Sequence, residues 1–151
     1  MFDFLNECQA MSKQIAEDRN YLHMHPELSG KEVETLHWIK ERLDLMGIEY
    51  EQIEGGGIAA LIKGRTSGKR LLLRADIDAL PVLENEQNLC DFKGAVSKTA
   101  GISHACGHDA HTAMLLAALK VLFQNRQEWS GEIVAVFEQG EESACGVVAV
   151  L

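Results

Sequence analysis

HTAMLLAALKVLFQNRQEWSGEIVAVF, residues 111–137, is the stretch whose reading decides the fold class. His111–Phe123 is dense in strong helix formers, Ala113, Met114, Leu116, Ala117 and Leu119 among them, which predicts a buried helix. Gly131–Phe137 is a β-branched apolar run whose length and flanking glycine suit a buried strand. Upstream, Arg70–Ile77 contains Leu71-Leu72-Leu73 and reads as another strand. Strand, helix and strand in succession predict an α/β layer whose sheet is at least partly parallel.

Working outward, residues 48–53 alternate apolar with polar and residues 57–62 are apolar and small, so two more strands are expected, with turns at Gly55-Gly56-Gly57 and Thr66-Ser67-Gly68. Phe4, Leu5, Cys8, Met11, Ile15 and Leu22 recur at mostly three- and four-residue intervals, predicting one amphipathic helix over Phe2–Leu22. Pro26 and Gly30 interrupt it. A second helix is expected from near Ser29, with Ser29 as N-cap and Glu32 as its capping-box partner. Val33, Leu36, Ile39, Leu43 and Met46 form its stripe, and Gly47 its stop. The polar stretch 84–103 lacks a period and reads as a long loop of the kind that often carries function. The apolar end, Gly146–Leu151, needs a surface to pack against.

A chain of 151 residues with 46% hydrophobic and 25% charged residues is one globular domain with one core, neither fibrous nor disordered. Its net charge of −9 repels a phosphate backbone and argues against a nucleic-acid partner. No run approaches the about 18–20 apolar residues of a membrane helix, and MFDFLNECQAMSKQ lacks the basic start and apolar centre of a signal peptide. A cytoplasmic protein is therefore expected. Cys8, Cys90, Cys106 and Cys145 are widely spaced, which suits reduced thiols better than a disulfide framework.

Three clusters can carry chemistry. His104, Cys106, His108, Asp109 and His111 fall within eight residues, and imidazole and thiolate are good donors for a borderline ion such as zinc. The plainer alternative makes His104 and His111 loop residues, Asp109 a helix cap and Cys106 a small buried side chain. A Cys106/His108 nucleophile pair is a further reading. Asp76 and Asp78 share a face at the end of a strand, where they can orient an imidazole, hold a metal or simply form a polar strand end. Glu141-Glu142 follows the last strand, where one carboxylate can bind a metal while its neighbour moves a proton, or both can lie in a solvated loop. Two features are decoys. Gly64–Arg70 is one residue short of a phosphate-binding loop and has no helix after it, and Trp38 and Trp129 lack the basic surroundings of stacking platforms.

Taken in order, HMHPELSGKE (23–32), LLLRADIDALP (71–81), SHACGHDAHTAMLL (103–116) and FEQGEES (137–143) resemble the amidohydrolase branch of the M20 metallopeptidase family, which includes N-acyl-amino-acid amidohydrolases, hippurate hydrolases and indoleacetyl-amino-acid hydrolases. The resemblance implies an α/β catalytic domain with a mixed sheet flanked by helices, cleaving the amide of small N-acyl amino acids with two divalent metal ions, zinc, manganese, cobalt or nickel. By motif match, Cys106, His108 and Glu142 are implied as metal ligands, with Cys106 the candidate bridge, Glu141 as the general acid/base and Asp78 as the aspartate that orients a ligand histidine. Asp76 falls where many relatives carry that histidine, with His108 serving instead.

Two departures accompany the resemblance. Relatives usually read Phe-Gln-Pro-Ala-Glu-Glu where this chain reads Phe137-Glu138-Gln139-Gly140-Glu141-Glu142, and loss of the proline is expected to loosen the loop that aims Glu141. Relatives are also more than twice as long, and their remaining histidine ligands and inserted lid or dimerisation domain lie beyond Leu151. Residues 1–151 are thus expected to be the amino-terminal part of a single catalytic domain, truncated before that lid domain and inactive alone, with homodimers formed by full-length relatives. The alternative is a non-catalytic metal-binding or interaction fragment.

Overall fold

The computed structural model describes residues 3–85, 87, 94–146 and 149. Helices α1 (Phe4–Ala10), α2 (Ser12–Met24) and α3 (Val33–Met46) are followed by strands β1 (Glu49–Ile53), β2 (Gly57–Lys63) and β3 (Arg70–Asp76). Helix α4 (His108–Gln124), strand β4 (Glu132–Glu138) and a 3-10 turn (Glu141–Ser143) complete the described elements.

The sheet is mixed, in the order β1-β2-β4-β3. β1 and β2 form an antiparallel hairpin, β4 inserts antiparallel to β2, and β3 lies parallel to β4. A parallel pair needs a crossover connection, which α4 supplies. Ile58, Ala60 and Ile62 of β2 stand opposite Phe137, Ala135 and Ile133 of β4, and Ala75 of β3 stands opposite Phe137, so these side chains share one face. Leu36, Ile39 and Leu43 of α3 and Leu115, Leu116 and Leu119 of α4 join them in one core, driven by removal of apolar surface from water.

Local signals succeed where nothing distant competes. Gly47 is left-handed at φ 71°, its amide bonded to Asp44 O while Ile48 N reaches Leu43 O, the paired bonds of a Schellman stop. The capping box, in contrast, does not form. α3 starts at Val33, the Ser29 hydroxyl donates to Asp78, the Glu32 carboxylate accepts from Gly140, and Val33 of the expected stripe is exposed. The first-turn amides of Glu34 and Thr35 are taken instead by the Glu27 carboxylate, at 3.2 and 2.7 Å. The single amino-terminal helix is two, broken at Met11, whose amide turns back to Cys8 O. Its apolar stripe is largely surface, and the side chains α2 buries are Asp18, Leu22 and His23.

The predicted helix at 111 begins three residues earlier, at His108, after a left-handed Gly107 (φ 83°). Trp38 is a packing residue, stacked on Tyr21, and no helix follows Gly64–Arg70, which leads into β3. Cys8, Cys106 and Cys145 are free thiols, while Cys90, much of the central loop and most of the apolar carboxy-terminal run lie outside the described residues. Among the described residues, no helix is long and apolar enough to cross a membrane.

Candidate metal centre

Three chain segments converge where β3 and β4 end side by side, the placement usual for sites in open α/β sheets. Past β3, the chain carries Asp78 inward. Its carboxylate is fully shielded from solvent and accepts three hydrogen bonds, from Ser29 Oγ (2.6 Å), His108 Nδ1 (3.1 Å) and the Glu142 amide (3.0 Å). Burial alone would raise the Asp78 pKa, but these donors outweigh it and hold the carboxyl at about 2.

His108, the first residue of α4, lies against two acceptors, since its Nδ1 is also 3.0 Å from the carbonyl oxygen of Asp78. Nδ1 therefore carries the hydrogen and Nε2 is directed into the cleft. The bond to Asp78 raises the His108 pKa against the opposing effect of burial, with Asp76 adding to the rise. Around Nε2 stand three carboxylates, Asp76 at 3.8 Å and Glu141 and Glu142 at 3.9 Å each. An imidazole anchored through one nitrogen by a carboxylate, with the other free, is oriented as a metal ligand requires.

Donor atoms of Cys106, His108 and Glu142 lie within 4.8 Å of one another, as do those of Asp78, His108 and Glu141, and those of Asp76, His108 and His111. His108 belongs to all three groups. A thiol, an imidazole and carboxylates at this spacing form a mixed donor set suited to borderline divalent ions. The Cys106 thiol pKa is raised, first by its hydrogen bond with Glu142 and further by burial and the neighbouring carboxylates, so a cation binding this sulfur would have to displace its proton. The residues present thus fit divalent metal.

The turn that follows β4, where relatives carry the proline, is held by hydrogen bonds at Gly140. Gly140 is left-handed (φ 65°), and a Cβ there would fall 2.1 Å from Cys145 Sγ. Its amide donates to Glu32 at 2.7 Å, and its carbonyl accepts from Cys145 N at 3.1 Å. Glu138, at the end of β4, is paired with Arg74, which also meets Asp76 at 2.6 Å.

The remaining members of the histidine cluster divide. His111 is half exposed, its ring stacked on His108 and its Nδ1 3.6 Å from Asp76. His104 is buried, and neither ring nitrogen has a hydrogen-bond partner among the described residues. Burial pushes its pKa down to about 4, so it is neutral at physiological pH. Asp109 does take up one helix amide, Ala110 N at 2.8 Å, but its other oxygen is engaged by His23 (2.7 Å) and Arg19 (2.9 Å). Sequence reading missed the roles of Ser29 and Glu32, although both lie in a quoted motif.

Residues 72–151, just over half of the chain, match Peptidase family M20/M25/M40. The chain belongs to that family. The M20 resemblance drawn from the four motifs therefore holds. Thermostable carboxypeptidase 1 of Saccharolobus solfataricus is 41% identical over 139 residues, covering 91% of this chain and 34% of its own length. N-acetyl-L-cysteine deacetylase of Bacillus subtilis is 41% identical over 142 residues, covering 93% and 33%. The crystal structure of Bacillus subtilis YXEP, described as a dinuclear metal binding peptidase of the M20 family, superposes with a TM-score of 0.84 at 40% identity, covering 94% of this chain and 39% of that one. This M20 chain thus spans about a third of the length of the curated relatives it matches.

Proposed function

We propose that this chain is the amino-terminal part of a catalytic domain that hydrolyses the amide bond of N-acyl amino acids with two divalent metal ions. The observation that carries the reading is His108, pinned through Nδ1 to Asp78 with Nε2 facing three carboxylates. Cys106, His108 and Glu142 are the ligands this chain contributes, and Asp78 is the residue that orients His108. Divalent ions held there, zinc, manganese, cobalt or nickel, would supply Lewis acidity for acidifying water and polarising an acyl carbonyl. Glu141 adjoins the donor set and is partly open to solvent, which suits a base that takes a proton from the attacking water and returns it to the departing amine. The deacetylase among the relatives supports the N-acyl substrate class.

The chain spans about a third of the length of its relatives, and its own donors for the ions are those of the cluster around His108. The 151-residue chain alone is expected to bind metal without turning over N-acetyl amino acids. Metal stoichiometry and affinity, measured on the wild type and on Cys106→Ser/His108→Ala, test the reading. Binding lost in the double variant supports it, while weak binding equal in both overturns this ligand set. Turnover by the chain alone, abolished both by chelator and by Glu141→Gln, would refute its inactivity.

A further inference from the structure

The segment His25–Glu32 lies far in sequence from the donor cluster, yet it is built into the site. Ala79 N donates to Glu27 O at 2.8 Å, Leu28 bridges to Ala79, and Ser29 Oγ donates to Asp78. At the end of this segment Glu32 is completely buried, at 0% exposure. Its position just before α3 invites a capping role, but its carboxylate makes no cap hydrogen bond to the helix. Oε1 instead accepts the Gly140 amide at 2.7 Å and Oε2 accepts Gln139 Nε2 at 3.0 Å, both 107 or more residues away.

A buried carboxylate is expensive unless its oxygens are satisfied, and a well-packed apolar side chain is often the more stable solution. Here both oxygens point to one short stretch, Gln139-Gly140, which immediately precedes Glu141 and Glu142. That stretch is the pivot of the turn. Gly140 has no Cβ to restrict it and sits at positive φ, so rotation there swings both following carboxylates. The turn therefore hangs from two buried carboxylates, Glu32 on the Gly140 amide and Asp78 on the Glu142 amide, with Glu141 between them.

We propose that Glu32 is a positioning residue: by clamping Gly140 and Gln139 it fixes where the Glu141 and Glu142 carboxylates stand relative to His108. The inference rests on the functional reading above, in which Glu141 moves the proton and Glu142 binds metal. It gives the HPELSGKE motif a physical task that its distance from the donor cluster conceals. Supports of this kind typically change metal affinity by about 10–100-fold when removed.

The test uses the whole chain, with Glu32→Ala to delete the acceptors and Glu32→Gln as the isosteric variant that keeps one oxygen for the Gly140 amide. Amide hydrogen exchange at Gly140 is compared with exchange at Ala135 in the core of β4, and Co2+ alone is titrated while the Cys106 thiolate-to-cobalt absorption band is followed. Expected is a rise in Gly140 exchange of at least about tenfold in Glu32→Ala with Ala135 little changed, and a smaller rise in Glu32→Gln. The Co2+ dissociation constant rises about tenfold or more in Glu32→Ala and less in Glu32→Gln, with the thiolate band retained at saturation. Exchange rising equally at Gly140 and Ala135, or Co2+ affinity unchanged in both variants, overturns the proposal. A wild type that shows no thiolate band sinks the metal reading instead. In that case selective loss of Gly140 protection still supports the clamp, and its absence overturns it.

Discussion

Replacing Asp78 with Asn removes the charge that three donors are arranged to stabilise, while keeping the shape of the side chain. The carboxyl is held at about 2 against an ordinary value of 3.8. At about 1.4 kcal/mol for each pH unit, that gap favours the folded carboxylate by about 2–3 kcal/mol. The side chain is shielded from direct contact with solvent, which limits screening of this interaction. The sign follows from the direction: a depressed carboxyl pKa gives stability that is complete above 3.8 and is lost as pH falls through about 2. Urea denaturation of the metal-free chain at pH 7 is therefore expected to place Asp78→Asn about 2–3 kcal/mol below the wild type, with the gap closing between pH 4 and pH 2. The same bond raises the His108 pKa, so NMR titration should find His108 lower in the variant; this reports the same interaction and is not added to it. Equal stability at pH 7, or a gap that stays constant to pH 2.5, would refute the reasoning.

The Cys106 thiol is held in its protonated form first by Glu142, so Glu142→Gln should shift the pH profile of alkylation by iodoacetamide to lower pH; an unchanged profile removes Glu142 from contact with this sulfur. His104 has a pKa depressed by burial to about 4 against an ordinary 6.5. Its contribution to stability is complete above 6.5 and falls away as pH drops through about 4, by up to about 3 kcal/mol. Denaturation curves of His104→Gln at pH 7.5 and pH 4.5 should show the variant less sensitive to acid than the wild type, and identical acid sensitivity would contradict a buried neutral imidazole.

The layer architecture was legible because its signals are local. The β-branched run ending in Phe137 and the helix formers after His111 report period and propensity, and nothing in the tertiary structure overrules them. Gly47 ended its helix for the same reason, since a left-handed stop needs only its own turn. Ser29 and Glu32 show where this reasoning fails. Both residue types suit a capping box, yet Asp78 and Gly140 offer them partners in the interior, where an unmet polar group costs more than an exposed helix end. The first helix misled in a different way, because spacing identifies a stripe without saying whether anything packs on it. His111 was likewise undecided until the fold set its ring against His108 and beside Asp76.

By itself the sequence determined the family, the α/β character of the chain and the chemical kinds of donor available, because motifs and periodicities are properties of neighbouring residues. Only the tertiary structure decided that β4 runs between β2 and β3, and so brings Glu141 and Glu142 to within 3.9 Å of a histidine over 30 residues earlier. It alone decided that Glu32, 108 residues before Gly140, holds the turn that carries them. Strand order and buried hydrogen bonds are settled by which distant groups satisfy one another when water is excluded, a competition that no local window of sequence contains.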